Sequence, residues 1–304
     1  MSAAAITVGV ATCGRPDGLA RCLAALRAQT VAPAQVVVVD QQPSAAAHAA
    51  ASASGLSALT YLEQPRLGLS ASRNLALAAC SSAVLAVTDD DCVPDPSWLA
   101  AIAAALRRRP APAAVSGPIL PLGPRPPGSY AVSLRESEIA VDHAGQVFPW
   151  AVGSGANFAA AATLLRRCGG WDERLGVGSG GRAAEDSELL YRLLRDGQVV
   201  RYEPAAIVRH EWQPRARRLA TRWSYGYGIG ALCGLRLAAG DRFALAMLGG
   251  YARLHLRPLL AAVARRERAT AVEHARALAS LPPGVAYGVR AARAPSSSTP
   301  LPAP

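Results

Sequence analysis

Lysine is missing from all 304 residues, so every one of the 32 basic side chains other than histidine is an arginine. Aromatic residues supply only 5% and methionine two positions, while hydrophobic residues reach 51%. A chain of this length can bury a substantial core, but that core is rich in alanine. Cys13, Cys22, Cys80, Cys92, Cys168 and Cys233 are scattered without any C-x-x-C pair. That pattern suggests neither a zinc knuckle nor a disulfide framework and fits a reducing compartment. Long uncharged stretches such as Gln41 to Leu62 are broken by Pro, His, Ser and Gly, so none reads as a transmembrane helix. The opening MSAAAITVGV has neither a basic n-region nor a cleavage-like boundary, and no secretory signal is expected. What remains is a globular enzyme or binding protein, expected in the cytoplasm.

The net charge of +11 is placed unevenly. From Gln213 onward, 14 arginines face only Asp241, Glu267 and Glu273, whereas the 18 acidic and 18 basic residues before that point cancel. Such a region suits an anionic lipid surface, a nucleic acid, or simply a solvated helical face.

The most informative stretch is Ala83 to Cys92, AVLAVTDDDC. An apolar run of this kind forms a strand buried on both faces, and Asp89, Asp90 and Asp91 then emerge at its carboxyl end, where α/β sheets bind ligands. Three adjacent carboxylates repel one another, and a cation such as Mg²⁺ or Mn²⁺ compensates them. The competing reading is a strand end that solvates a turn before Pro94.

Around this centre, Ile6 to Ala11 reads as a first strand and Leu19, Cys22, Leu23 and Leu26 mark a helix. Val36 to Val39 makes a second strand stopping at Asp40, a β-α-β geometry in which the carboxylate can accept from a base or ribose. A third strand is expected near Leu59 to Leu62. A helix over Leu69 to Cys80 carries Arg73 and Asn74, and another spans Ser97 to Arg108. Alternation of this kind gives a mainly parallel sheet. Ala114 to Leu120 reads as one further strand, and Val199 to Tyr202 and Ala206 to Val208 as two short ones.

Three later segments carry candidate chemistry. In Trp150 to Phe158, WAVGSGANF, small residues let backbone approach a ligand, and Asn157 is a candidate to orient substrate. GGWDE leads through Gly176, Gly178, Gly180 and Gly181 to Glu185 and Asp186, which open a helix ended by Gly197. Acids at a helix start are expected from the dipole alone, yet a carboxylate beside a Gly-rich loop is also how a general base meets a bound hydroxyl. His210, in RHEW, is a candidate third metal ligand.

Taken together, Thr12 and Arg15, Val36 to Asp40, Gly68 with Arg73 and Asn74, TDDD, GANF, GWDERLG, AED and VRHEW resemble, in family order over roughly residues 5 to 213, a family 2 glycosyltransferase of GT-A fold. The resemblance implies an α/β, Rossmann-like, mainly parallel sheet flanked by helices, a nucleotide-diphosphate-sugar donor, and a divalent metal, Mn or Mg. It implies that Thr12, Arg15, Asp40, Arg73 and Asp89 contact the nucleotide, and that Asp91 and Asp89 hold the metal with help from His210. It implies Asp186 as general base, with Asn157, Trp171 and Glu185 near the substrates. The acceptor implied is a hydroxyl of a glycan or a lipid-linked molecule. Gln41, Gln42 and Pro43 depart from the usual Asn, Gly and Ser after the second-strand acid, which leaves base preference open. With three aspartates, the metal register is open too.

The expected boundaries are 1–212 for the glycosyltransferase domain, 213–293 for a basic helical region and 294–304 for a disordered tail. Helices are expected over Leu219 to Leu237, Arg242 to Arg266, with Pro258 kinking or splitting it, and Ala269 to Leu281. Their mixture of Leu and Arg suits an anionic membrane surface, which would place the protein peripherally on the inner face of the cell membrane. A sugar nucleotidyltransferase is the nearest competing enzyme, but Thr12-Cys13-Gly14-Arg15 is a poor match to its Gly-rich loop. An Arg-rich nucleic-acid-binding protein would explain the charge but not the acids before residue 212, and no nucleic acid is expected.

Overall fold

The computed structural model describes residues 5–293; the expected tail, 294–304, lies outside the described residues. The chain begins with β1 (Ile6–Thr12), α1 (Pro16–Arg27), β2 (Gln35–Asp40), α2 (Ala45–Ser52), β3 (Leu59–Glu63), α3 (Leu69–Ala79), β4 (Val84–Asp89), β5 (Cys92–Pro94) and α4 (Trp98–Leu106). It continues through β6 (Ala114–Ser116), β7 (Ile119–Pro121), β8 (Ser129–Tyr130), β9 (Val141–His143), a 3-10 turn at Pro149–Ala151, β10 (Phe158–Ala161) and α5 (Ala162–Arg167). After α6 (Glu185–Arg195) come β11 (Val200–Tyr202), β12 (Val208–His210), β13 (Gln213–Pro214), and the helices α7 (Arg215–Ala238), α8 (Phe243–Ala264), α9 (Arg268–Ala279) and α10 (Leu281–Ala291).

An eight-stranded sheet in the order β3-β2-β1-β4-β10-β6-β11-β9 forms the centre. The first four strands are parallel, and β10 runs antiparallel between β4 and β6. Because successive side chains alternate faces, β4 sends Val84 and Ala86 into the layer of α1 and α4, and Leu85 and Val87 into the layer of α5 and α6. Register then decides where the chemistry lies. Thr12 stands opposite Asp40 and Ala11 opposite Asp89, so three strands end on one rim. A second sheet, β5-β12-β7, pairs His210 with Cys92 and so carries the histidine to the aspartate triplet.

Several boundaries differ from the sequence reading, for local reasons. Ala114 to Leu120 is two strands in two sheets, because Pro118 lacks an N–H and Gly117 packs against the Ala206 carbonyl too closely for a side chain. The strand expected at Ala206 to Val208 sits at Val208–His210. The alanine-rich segment after Asp40 is helical, its N-terminus capped by Ser44 Oγ accepting from the Ala47 N–H at 3.1 Å. Pro258 does not split α8, which runs through it while packed on α7 and α9. Helix α10 was not anticipated; Pro282 and Pro283 occupy its first turn, where a missing N–H costs nothing.

The four last helices pack on one another and on the sheet domain. Gly230 and Gly234 of α7 lie against the backbone of α10, and Gly284 and Gly288 of α10 lie against the backbone of α7. Each glycine leaves room for the opposite carbonyl. A shared cluster joins Leu175, Ala184 and Tyr191 to Ile229, Leu232, Met247 and Leu281.

Within this helical layer, His255 and His274 meet at 2.9 Å between their Nδ1 atoms. Burial, with the neighbouring Arg222 and His274, pushes His255 down to about 4, and burial lowers His274 as well. A histidine kept neutral by the fold contributes stability above its unfolded value near 6.5, and that contribution is lost as pH falls toward 4. The expected loss from His255 is on the order of 3 kcal/mol. Thermal melts from pH 7 to pH 4 should therefore fall steeply in the wild type and less steeply in His255→Gln; parallel curves would contradict the assignment.

Candidate active site at the acidic strand ends

The three aspartates that follow β4 take separate paths. Asp90 turns inward and is buried, accepting from Thr12 Oγ1 at 2.7 Å and from Arg15 Nε at 3.2 Å. Burial pushes its carboxyl up to about 6 despite Arg15 and Thr12. Asp89 stays partly exposed, whereas Asp91 is buried among basic side chains. Arg73 donates to Asp89 at 3.2 Å. Asp91 is ringed by Arg15, by His210 Nε2 at 3.3 Å and by Arg217 at 3.6 Å. Burial opposes ionisation of Asp91, but His210, Arg15 and Arg217 hold it below the usual carboxylate range.

Donor atoms of Asp89, Asp91, Cys92 and His210 all lie within 4.8 Å of one another. Burial raises the Cys92 thiol well above its ordinary value, and a soft sulfur suits Mg²⁺ or Mn²⁺ less than carboxylate oxygen does. The useful set is two carboxylates and an imidazole, which suits Mg²⁺ or Mn²⁺. The histidine is oriented for it. Its Nδ1 stands 2.9 Å from the Glu211 carbonyl, which can only accept, so Nδ1 carries a proton and Nε2 is turned toward Asp91 at 3.3 Å.

A second acidic group approaches from α6. Asp186 accepts the Gly155 N–H at 2.9 Å and the Ser187 N–H at 2.6 Å. Its neighbour Glu185 is buried and receives Arg73 at 2.8 Å. Burial and Asp186 push Glu185 up to about 7, with Arg73 opposing. One buried guanidinium, Arg73 on α3, therefore spans Asp89 and Glu185 and ties the two acidic groups together. Gly155 lies flat on that guanidinium, where a Cβ would sit 2.5 Å from its nitrogens. Arg135 supports the same turn, donating to the carbonyls of Trp150 at 2.6 Å and Gly153 at 2.7 Å.

Two expected substrate contacts are corrected by this geometry. Asn157 is buried beneath the site and its amide is fully used: it accepts from Trp98 Nε1 at 2.9 Å and donates to the carbonyls of Pro118 and Ala206 at 2.9 and 2.7 Å. Trp171 is core, packed edge-on against Phe158. Asp40 stands at the expected strand end, but it is buried and both oxygens are taken, by the Tyr61 hydroxyl and the Gln42 N–H. The sequence reading passed over Arg217, Arg135 and Gly155. Gly155 sat inside a singled-out segment, whereas the two arginines carry no local signal because tertiary packing alone brings them here.

The sequence model described as Glycosyl transferase family 2 matches residues 7–126, and that described as Glycosyl transferase family group 2 matches residues 84–288. The chain is 28% identical over 237 residues to pre-mycofactocin glycosyltransferase of Mycobacterium tuberculosis, in strains CDC 1551 and H37Rv; the match covers 76% of this chain. It spans 48% of those curated relatives, about half their length. Among solved structures, mannosyltransferase PcManGT from Pyrobaculum calidifontis, in complex with GDP-Man and Mn²⁺, is similar with a TM-score of 0.61 at 19% identity, covering 94% of this chain and 88% of that one. Staphylococcus aureus TarS, residues 1–349, is similar with a TM-score of 0.58 at 14% identity, covering 92% of each chain. These likenesses give the fold as GT-A, and the matched sequence models place the chain in the family 2 glycosyltransferases.

Proposed function

We propose that this glycosyltransferase moves a sugar, with inversion, from a nucleoside-diphosphate sugar to an acceptor hydroxyl, with a divalent cation at Asp89, Asp91 and His210 and Asp186 as general base. The observation that carries this reading is the Arg73 bridge, which ties Asp89 at the end of β4 to Glu185 at the start of α6. GDP-Man with Mn²⁺ in PcManGT and UDP in a second TarS structure support a donor of this class. The acceptor is a hydroxyl of a cell-envelope glycan or a lipid-linked molecule. Residues 1–212 supply the donor site apart from Arg217, and residues 213–293 form the basic helical part.

A cation at this place neutralises the charge that grows on the departing diphosphate. Thr12 and Arg15 line the nucleotide side, Asp89 faces the ribose, and Asp40 takes part only when the Tyr61 hydroxyl releases it. Glu185 does not meet substrate; it anchors Arg73. Asp186 takes the proton from the acceptor oxygen as that oxygen bonds to the anomeric carbon. The bond from that carbon to the diphosphate oxygen breaks, and its electrons leave with the nucleoside diphosphate. Inversion follows from attack opposite the leaving group.

Arg217 has a part in this scheme. It is more than half exposed and reaches Asp91 only at 3.6 Å, so it is free to turn to the donor phosphates. Arg217→Ala should weaken nucleoside-diphosphate binding about tenfold and nucleoside-monophosphate binding little, with Arg217→Lys intermediate. Calorimetric titration checks this, and equal losses for both ligands would remove Arg217 from the diphosphate. The proposal as a whole is tested by a thermal-shift screen of nucleotide sugars with and without Mn²⁺. Metal-dependent stabilisation by one nucleoside-diphosphate series is expected, and no shift with any donor would contradict it.

A further inference from the structure

Helix α8 buries one face on its neighbours through Ala244, Met247, Tyr251, His255 and Ala262. Its opposite face carries Leu245, Leu256, Leu260 and Val263, which are 59%, 47%, 61% and 60% exposed. Those four positions fall within a narrow stripe at the helical repeat. A second stripe runs beside it: Arg242, Arg253 and Arg257 each stand three residues before Leu245, Leu256 and Leu260, and all three are exposed. Arg265, Arg266 and Arg268 extend the basic side beyond the end of the helix.

The ion pairs of this layer point the other way. Arg218 and Arg222 meet Glu273, Arg236 meets Glu188, and Arg195 of α6 meets Asp241. Among the described residues beyond 213, Glu267 is the one acid left exposed. The outer face of α8 is therefore an apolar row beside a cationic row with almost no compensating charge. Single exposed leucines need no explanation, but an aligned row beside arginines does.

We infer that the outer face of α8 docks on an anionic lipid bilayer, with the leucine row in the acyl boundary and the arginine row on the headgroup phosphates. The match is one of chemistry and geometry, since an interfacial helix needs a solvent-facing apolar stripe flanked by cations. A second copy of the chain is disfavoured by apposing two positive faces. A nucleic acid uses the arginines but leaves the leucines in water. No helix among the described residues is long and apolar enough to cross a membrane, so the contact lies on the surface. This surface deepens the proposed function by bringing the enzyme to a lipid-linked acceptor, and it rests on that reading only for its purpose.

The test is co-sedimentation of the full chain with vesicles of phosphatidylcholine alone or with phosphatidylglycerol, at low and high salt, with a short DNA duplex assayed in parallel. The wild type should bind the anionic vesicles, and binding should weaken strongly at high salt. Each arginine removed, in Arg253→Gln or Arg257→Gln, should lower the partition coefficient about fivefold. Leu256→Ser with Leu260→Ser should lower it at both salt concentrations. These sites are exposed, and unchanged melting temperatures would show that the variants fold. Absence of binding to anionic vesicles, indifference of binding to both pairs of substitutions, or binding to the duplex that exceeds binding to vesicles would each overturn the inference. Vesicle binding is read without donor or acceptor, so a failure of the glycosyltransfer reading leaves it standing.

Discussion

Asp186→Asn should lower turnover by about 10²- to 10⁴-fold, the usual worth of a positioned general base. That corresponds to about 3 to 5 kcal/mol of barrier. Donor affinity should hardly move, because in the proposed reaction the carboxylate meets the acceptor and not the nucleotide. The substitution is mild for the fold. Asparagine keeps one acceptor oxygen for the N–H groups of Gly155 and Ser187, which Asp186 now satisfies together, and losing one such bond costs about 1 kcal/mol. Steady-state kinetics with a donor titration on the same preparation separate the two effects. A variant with near-normal turnover removes Asp186 from its role. One with weakened donor binding and normal turnover at saturation moves it to the donor side.

Asp91→Asn should have the opposite signature. Metal-dependent donor affinity should fall by at least about tenfold, the lower range seen when even a ligand's supporting partner is lost. Binding without metal should change little or strengthen. Asp91 now neutralises Arg15 and Arg217, and with its charge gone those guanidinium groups are free for the diphosphate. The asparagine keeps the shape, and the freed Arg15 and Arg217 remain in contact with solvent, their side chains 35% and 57% exposed. Titrations with and without Mn²⁺ decide the matter. Equal affinities in wild type and variant, with Mn²⁺ present, would contradict the assignment.

Much of this was legible in the chain, and the physical reasons are specific. Val36 to Val39 and Val84 to Val87 are unbroken apolar runs, as strands buried on both faces require, and acids cannot remain inside such runs. The strand ends, and with them Asp40 and Asp89, could therefore be placed before any fold was in view. Asp186 was legible as an acid at a helix start beside a glycine-rich loop. What was not legible depends on partners distant in sequence. Nothing local distinguishes Asn157, which clamps Pro118, Ala206 and Trp98, from an asparagine that meets a ligand. Trp171 stands beside flexible glycines yet packs in the core. Tyr61, which caps Asp40, lies on the next strand over, and its reach depends on register. The different partners of the three aspartates, Arg73 for Asp89, Thr12 and Arg15 for Asp90, and Arg15, His210 and Arg217 for Asp91, come from distant parts of the chain. The close packing of α7 on α10 required glycines on both helices to coincide, which neither helix announces alone.

The central claim is that acidic groups from β4 and α6 share one cleft through Arg73. Loading the protein with Fe²⁺ in place of its divalent ion, then generating hydroxyl radicals with ascorbate and peroxide, cuts the backbone wherever it lies near the metal. The expected cuts fall at 89–92 and 209–211, with a further set at 185–187, and all three sets should fade together in Asp91→Asn. Cleavage confined to the first two segments, with 185–187 intact, would contradict the convergence on which the chemistry rests.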